Sequence, residues 1–321
     1  MFHVLCSMFH DKLRIVFLGT PKFALPTLGA LIDNNLKPIL VVTQPDKPVG
    51  RSQKLIPSPV KQSALKNEIP VVQPETKGDL EKVFVDNEVD VCVLVAYGMM
   101  IPKIYLEKPR FGFLNIHPSL LPKYRGSSPI QAALLNGDQE TGVSIIKLIP
   151  KMDAGPIVAQ ETVGIGLKDN AETLHDKLAK AGADLLVKIL PDYLAGKIKA
   201  RPQEEVNASY TQLVKREDGW IDWQKTAYEI ERQFKAFYPW PGLFTQMAGK
   251  RLKIANLGVL EGDFGAKLGV GEVFLTPQNG LAVKCGQGAV EIKNLQLEGK
   301  KETGGQEFLQ GHQDLIGKFL G

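Results

Sequence analysis

The most informative segment of the sequence is FGFLNIHPSLLPKYRG, residues 111–126. Its first seven residues are apolar except at Asn115 and His117, and they predict a buried strand. Residues two apart in a strand face the same side of a sheet, so the carboxamide and the imidazole project side by side. Pro118 and Pro122 end the strand, because proline cannot donate to a ladder. The loop that follows lies at the strand's carboxyl end, where open α/β sheets bind ligands.

Apolar runs elsewhere predict the rest of this sheet. Strands are predicted at residues 13–19, 38–43, 71–73 and 89–96, and those at 13–19 and 89–96 are predicted to be buried. Thr20 as N-cap and Pro21 at the first helical position predict a helix that runs to about Asn34. The order strand, helix, strand favours a parallel sheet. Gly19 is not followed by the further glycines of a dinucleotide fingerprint. We therefore predict an α/β fold, with a Rossmann-like, mostly parallel sheet and helices on both faces.

Two later strands are predicted to form a hairpin. Residues 142–149 alternate as a strand, and residues 157–163 return after the turn KMDAGP. Asp153 lies in that turn, so the hairpin can carry its carboxylate towards the carboxamide and imidazole of the first stretch. A helix with apolar residues near the 3.6 period then spans 171–190.

The texture of the sequence changes in its last third, which predicts two domains. The first spans 13–190 and follows an N-terminal extension, 1–12, in which Met8 is an alternative start. Residues 191–208 contain proline, glycine and lysine and predict a linker. Short strands separated by glycine turns in 209–321 indicate a smaller, OB-like β-barrel domain.

Composition narrows the classes of function. The 321 residues are 44% hydrophobic and 23% charged, which is typical of a globular protein with a large core. The net charge of +4 implies no strong overall field. Three cysteines, far apart and without a C-x-x-C pair, predict no disulfide framework and no metal site, and they fit a reducing cytoplasm. The most apolar run is too short to span a membrane, and residues 1–12 lack the features of a signal peptide.

Residues 44–61 form a long loop rich in proline, with a net charge of +3. Its basic residues are Lys47, Arg51, Lys54 and Lys61. A loop longer than roughly 12–15 residues without regular structure is usually functional or disordered. Basic charge on a mobile loop suits a phosphate backbone, and the alternative is a solvated surface loop without a partner.

The residue types at the strand end limit the chemistry. No serine or cysteine lies in a nucleophile elbow, and one histidine with one carboxylate is too few for a zinc site. The amide of Asn115 and a protonated His117 can both donate to an oxyanion, and Asp153 can orient the imidazole and favour its charged form. This chemistry fits acyl transfer between two bound substrates. The alternative is that Asn115 and His117 are hydrogen-bonded polar residues without a catalytic role.

These motifs resemble a known family. NIHPSLLP at 115–122, with Asp153 in a D-x-G turn, is similar to the signature of the 10-formyltetrahydrofolate-dependent formyltransferases. QPDKPVGR at 44–51 and PSPVK at 57–61 resemble the inserted basic loop of the family members that act on tRNA. IDW at 221–223 and PWP at 239–241 resemble later parts of the same members. The resemblance runs from about Leu13 to near the C-terminus.

The resemblance implies a role for each matching position. It implies that the catalytic residues are Asn115, His117 and Asp153. It implies a tetrahydrofolate-binding loop of Ser119, Leu120, Leu121 and Pro122, and a pterin pocket lined by Tyr97, Gly98 and Met99. It implies tRNA contacts from Arg51, Lys47 and Lys54. The implied reaction is formyl transfer from 10-formyltetrahydrofolate, without a metal, to the α-amino group of methionine on initiator tRNA, by a monomer.

Two other functions stay open at this point. The trio cannot separate a tRNA acceptor from a small amine, such as a purine-pathway ribonucleotide or an amino sugar. The basic loop and the barrel-like domain favour tRNA. A noncatalytic RNA-binding protein on a Rossmann-like scaffold is the alternative from another class.

Overall fold

The structure is a computed structural model that describes residues 13–49, 53–76, 78–85, 87–260, 262 and 268–321. It divides into two compact units. The first holds residues up to 129 together with 140–165 and 175–211, and the second holds 130–139, 166–174 and 212–321. The second unit thus includes two short segments from within the predicted first domain.

The first unit is built on a seven-stranded sheet. Its strands are β1 (Ile15–Gly19), β2 (Leu40–Val42), β5 (Val71–Val72), β6 (Val91–Val95), β7 (Phe113–His117), β9 (Glu140–Lys147) and β10 (Ile157–Gly164). Their order is β10-β9-β7-β6-β1-β2-β5. The five strands from β7 to β5 pair in parallel, and β9 and β10 are antiparallel additions. Every residue of β1 and β7 is buried, as expected inside a mostly parallel sheet.

The sheet has a switch point at β1. The chain passes from β1 to β2 and β5 on one side, and then continues to β6 and β7 on the other. The crevice of an open α/β sheet lies at such a point, outside the carboxyl ends of the strands. Here these ends are Gly19, Val95 and His117.

Helices and short strands connect the sheet. The helices are α1 (Leu25–Asp33), α2 (Pro59–Lys66), α3 (Glu81–Val85), α4 (Lys103–Leu106), α5 (Pro129–Asn136) and α6 (Ala171–Leu194). Strands β3 (Lys47–Val49) and β4 (Lys54–Ile56) pair as a hairpin within the basic loop. The two-residue strands β8 (Arg125–Gly126) and β11 (Tyr210–Thr211) pair in parallel.

The second unit contains an antiparallel sheet that forms a half-barrel. Its strands are β12 (Leu243–Met247), β13 (Lys250–Leu260), β14 (Val273–Leu275), β15 (Leu281–Lys284), β16 (Ala289–Leu297) and β17 (Thr303–Gly304), and its helices include α7 (Ala227–Ala236) and α8 (Gly305–Gln310). The strand order is β12-β13-β16-β15-β14, with β17 also paired to β16. The predicted fold class is confirmed in both parts: a mostly parallel α/β sheet precedes an antiparallel, barrel-like sheet.

Several predicted element limits are wrong for physical reasons. Thr20 does not cap a helix, because its hydroxyl donates to the Tyr97 carbonyl at 3.0 Å, and α1 begins five residues later. Helix α6 continues past Pro191, since the amide of Ala195 still donates to the Pro191 carbonyl at 3.0 Å. The predicted domain limits 13–190, 191–208 and 209–321 stay a prediction.

The basic loop is more ordered than the sequence indicated. It contains the β3–β4 hairpin, and α2 begins within it at Pro59. Ser58 is the N-cap of that helix and accepts from the Lys61 amide at 3.1 Å. Arg51 and the extension 1–12 lie outside the described residues. In the part of the chain that is described, no helix has the length and apolar character needed to cross a membrane.

Candidate active site

The candidate site lies where β1, β6 and β7 end side by side. Thr20 follows β1, and its hydroxyl donates to the carbonyl of Tyr97, which follows β6. The backbone amide of Gln44, beyond β2, donates to the same hydroxyl at 3.4 Å. These bonds join three loops across the switch point, so they fix one wall of the crevice beside β7.

Asn115 and His117 both come from the carboxyl end of β7. Asn115 pairs with Leu94 on one side and Ile146 on the other, and His117 pairs with Ser144. The two residues are 7% and 4% exposed. Their separation by one residue places both side chains on one face of the sheet, as predicted.

The imidazole of His117 is oriented by a backbone carbonyl. Its Nε2 lies 2.9 Å from the Tyr124 oxygen, and since a carbonyl only accepts, Nε2 carries a proton. Its Nδ1 faces the carboxylate of Asp153, at 3.7 Å from Oδ1. That distance exceeds a hydrogen bond, so an Nδ1 proton can be directed to a third atom. Nδ1 is therefore the nitrogen of His117 that can serve an oxyanion.

Asp153 lies in the turn between β9 and β10, where the sequence placed it. Its φ of 49° is in the left-handed region, which Asp adopts more readily than most residues. Its Oδ2 accepts from the backbone amide of Gly126 at 2.8 Å, which leaves Oδ1 towards His117. The structure thus brings the carboxylate and the imidazole together across 36 residues of sequence.

The carboxamide of Asn115 is open to a ligand. In the described part of the chain, no residue forms a hydrogen bond with this side chain, although the residue is only 7% exposed. The carboxamide is not one of the fully buried polar groups that lack a partner, so it still reaches solvent at the end of β7. It can therefore donate to a ligand there, as the catalytic interpretation requires.

The loop at 119–122 is rigidly anchored beneath the site. Ser144 on β9 donates to the Ser119 carbonyl at 2.6 Å and accepts from the Leu121 amide at 3.0 Å. The Ser119 hydroxyl donates to the Lys123 carbonyl at 2.6 Å, and the Leu121 side chain is buried. Leu120 and Pro122 are the partly exposed members. A ligand at this loop would meet those two side chains and the backbone.

The segment 97–99 contributes mainly backbone to the crevice. Tyr97 is buried in the core of the first unit, and Met99 is partly buried against that core. Burial raises the pKa of Tyr97 to about 12. Gly98 has a φ of 84°, and a Cβ there would lie 2.5 Å from Nε2 of the Gln44 side chain. Only glycine fits this turn without displacing its neighbour.

The cations of the basic loop fall into two groups. Lys61 is paired with Asp46 at 2.7 Å and with Gln73 at 2.6 Å, and the hydrogen bond from Lys61 holds the pKa of Asp46 below its ordinary value. Lys47 and Lys54 are exposed on the β3–β4 hairpin, and Lys47 donates to the Gln44 side chain at 2.9 Å. Their ammonium groups remain accessible to a polyanion.

Sequence reasoning missed several residues that hold the site. Tyr124 orients His117 through its carbonyl, Ser144 anchors the loop, and Gln203 donates to the carbonyl of Asp153 at 2.8 Å. Backbone carbonyls and long-range amides leave no pattern in one sequence. The only available signal was the position of Tyr124 within the opening stretch.

Comparison with known proteins assigns the class. The chain matches the family described as Formyl transferase over residues 13–190, and the family described as Formyl transferase, C-terminal domain over residues 213–313. It therefore belongs to the formyl transferase family. A similar sequence within that family is the methionyl-tRNA formyltransferase of Methylococcus capsulatus. It is 43% identical over 311 residues, which cover 96% of this chain and 100% of the relative.

Solved structures share the fold at lower identity. WlaRD, a sugar 3N-formyl transferase solved in the presence of dTDP and 5-N-formyl-THF, has a TM-score of 0.65 and 21% identity, with 91% of this chain and 100% of WlaRD covered. HypX from Aquifex aeolicus, in complex with tetrahydrofolic acid, has a TM-score of 0.61 and 17% identity, with 95% of this chain covered. This chain spans about half the length of HypX, since 48% of that chain is covered.

Proposed function

We propose that this chain transfers a formyl group from 10-formyltetrahydrofolate to the free α-amino group of methionyl initiator tRNA. The placement of Asn115, His117 and Asp153 on one face of the crevice carries the proposal of acyl transfer. The 43% identity to a methionyl-tRNA formyltransferase over nearly the whole chain supports the acceptor. Solved structures of the same fold with folates support the donor.

In the proposed reaction, the α-amine attacks the formyl carbon and the carbonyl electron pair moves to oxygen. The Asn115 amide and Nδ1–H of a protonated His117 donate to this oxyanion, and each such donor is typically worth about 2.7–4 kcal/mol in the transition state. Asp153 accepts the proton that the amine loses. The oxyanion electron pair then re-forms the carbonyl, the bond from the formyl carbon to N10 breaks with its electron pair on N10, and N10 takes up the proton that Asp153 accepted.

The donor's place in the crevice follows from the loops around it. Leu120 and Pro122 offer apolar contact beside β7, and the backbone of 97–99 lines the end of β6. A flat heterocycle needs such an apolar site with a few polar backbone groups. These residues therefore fit a pterin, and Asn115 and His117 lie on the adjacent strand.

The β3–β4 hairpin is proposed to meet the tRNA. Lys47 and Lys54 supply exposed charge, and Arg51, outside the described residues, lies between them in sequence. Neutralising phosphates with such cations releases counterions and drives RNA binding. Further RNA affinity is assigned to the second unit. We also propose that the enzyme is a cytoplasmic monomer, which sedimentation equilibrium on the purified protein tests.

A formyl-transfer assay with matched acceptors tests the proposal. The purified protein is incubated with 10-formyltetrahydrofolate and with methionyl initiator tRNA, uncharged initiator tRNA, an amino-sugar nucleotide or a ribonucleotide amine. We expect formylmethionyl-tRNA from the first acceptor and no product from the other three. Faster formylation of the amino-sugar nucleotide or the ribonucleotide amine would show that the acceptor is a small amine and not the charged tRNA. Binding of tRNA without any formylated product would replace catalysis with a noncatalytic RNA-binding function.

A further inference from the structure

Arg125 is a buried cation next to the candidate site. Its side chain is 0% exposed, and within the described ranges the hydrogen-bond partners of its guanidinium all follow α6 in sequence. It donates to the Gln203 oxygen at 3.0 and 2.9 Å, to both oxygens of Glu205 at 3.0 Å and to the Tyr210 hydroxyl at 2.9 Å. Since an unpaired buried charge is costly, this cation binds the segment 203–210 firmly.

Gln203 extends this contact to Asp153. Its Nε2 donates to the Asp153 carbonyl at 2.8 Å and to the Gly155 carbonyl at 2.7 Å, while its oxygen accepts from Arg125. One carboxamide thus joins the guanidinium to the turn that carries the catalytic carboxylate. Residues with positive φ persist where the surrounding structure holds them, and Asp153 is such a residue.

The backbone around Arg125 holds the other half of the pair. The Tyr124 carbonyl accepts from His117, and the Gly126 amide donates to Asp153. This backbone is itself fixed, because the Arg125 amide donates to the Ser209 carbonyl at 2.8 Å and β8 pairs with β11. Both His117 and Asp153 are therefore held by hydrogen bonds to the backbone of one three-residue segment, 124–126.

We propose that Arg125 and Gln203 are positioning residues, which set the distance between the Asp153 carboxylate and Nδ1 of His117. The segment 203–211, predicted as linker and start of the second domain, is on this account part of the catalytic apparatus. The inference rests on the roles that the proposed function gives to His117 and Asp153. A misplacement of about 1 Å in such a pair can cost a factor of about 10² in rate.

Gln203→Glu separates positioning from general support. A glutamate still accepts from Arg125, but it cannot donate to the carbonyls of Asp153 and Gly155. Gln203→Ala loses both connections. Gln233→Ala is the matched control, because Gln233 also bridges two backbone carbonyls, those of Asp218 at 2.7 Å and Trp220 at 3.0 Å.

The experiment measures kcat, both KM values and thermal unfolding for the whole protein and these three variants. We expect kcat to fall by about 10- to 100-fold in both Gln203 variants, with donor KM within twofold and a changed pH profile of kcat. Gln233→Ala should keep kcat within twofold, even if its melting temperature falls as much as that of the Gln203 variants. Wild-type kcat in Gln203→Glu, or an equal loss of kcat in Gln233→Ala, would overturn the inference.

A readout without activity keeps this test separate from the proposed function. The protein is labelled with carbon-13 at Cε1 of histidine, and the NMR signal of His117 is assigned by its loss in His117→Asn. That signal reports the surroundings of the imidazole. It should shift in Gln203→Glu and stay in place in Gln233→Ala. An unmoved signal in Gln203→Glu refutes the positioning role. A wild-type protein that forms no formylmethionyl-tRNA refutes the proposed function instead.

Discussion

Removing one hydroxyl, in Ser144→Ala, should weaken binding of the formyl donor by destabilising the loop at 119–122. Ser144 is 0% exposed, and its Oγ donates to the Ser119 carbonyl at 2.6 Å. The same oxygen accepts from the backbone amide of Leu121 at 3.0 Å and from the side-chain amide of Gln160 at 2.8 Å. Gln160 keeps its bond to the Leu121 carbonyl at 2.9 Å, so it is not stranded. Two buried backbone groups, those of Ser119 and Leu121, lose the hydroxyl.

The expected effect of Ser144→Ala on donor binding follows from the backbone groups of Ser119 and Leu121. Each unsatisfied buried group costs about 1–3 kcal/mol, so the fully packed loop becomes less favourable by about 2–6 kcal/mol. The loop can relieve part of this by moving away from β9. Donor binding must then restore the packed loop, and every 1.4 kcal/mol of that work raises the dissociation constant tenfold. We expect KM for 10-formyltetrahydrofolate to rise at least tenfold and KM for tRNA to change less than twofold.

Urea unfolding and steady-state kinetics on the same preparations provide the assay. Thr276→Ala in the second unit is the control, because the buried Thr276 hydroxyl also accepts from one backbone amide, that of Gly280 at 2.8 Å. The control should lose stability with an unchanged donor KM. A Ser144→Ala protein whose donor KM equals that of the wild type would refute the anchoring role assigned to this hydroxyl.

Three further predictions address charge and reactivity. With Cys6 replaced by serine, the native protein should resist a thiol reagent at pH 8. Burial raises the pKa of Cys285 to about 11, and Cys92 is also buried. Reaction of either thiol before the protein unfolds would contradict this. Hydrogen bonds from Lys151 and then Arg125 lower the pKa of Glu205, so its stabilisation is complete above the ordinary value of 4.5 and is lost below it. Glu205→Gln should therefore flatten the fall in unfolding free energy between pH 5 and pH 3, and an unchanged slope contradicts this. Replacing Lys47 and Lys54 by alanine should reduce the salt dependence of tRNA binding by up to about 1.8 in log–log slope while donor KM is kept. An equal loss of both affinities would argue against tRNA contact.

The parts of the fold that the sequence predicted are those governed by local pattern. Apolar runs located β1, β6 and β7, and the two-residue period placed Asn115 beside His117. A turn between two strands brought Asp153 towards them. These inferences need only strand geometry and the right-handed crossover rule.

What could not be predicted depends on tertiary contacts that override local preference. Thr20 has the features of an N-cap, yet the carbonyl of Tyr97 takes its hydroxyl. Gln203 lies 50 residues from Asp153 in sequence, and no local pattern connects them. Proline at 191 is normally a stop signal, but α6 continues for one turn beyond it. Helix α2 was missed although Ser58 and Pro59 carry the start signal, because the loop was assessed by its charge and length.

The proposed function requires the carboxamide of Asn115 to donate to the oxyanion, and single-turnover formylation measures that contribution. Enzyme in excess is mixed with methionyl initiator tRNA and 10-formyltetrahydrofolate, and formylmethionyl-tRNA is followed by rapid quench for the wild type, Asn115→Ala and the helix-end control Asn34→Ala. We predict a rate about 10²–10³ lower for Asn115→Ala, with unchanged unfolding and substrate affinities, and a wild-type rate for the control. A folded Asn115→Ala protein that formylates at the wild-type rate would contradict the account.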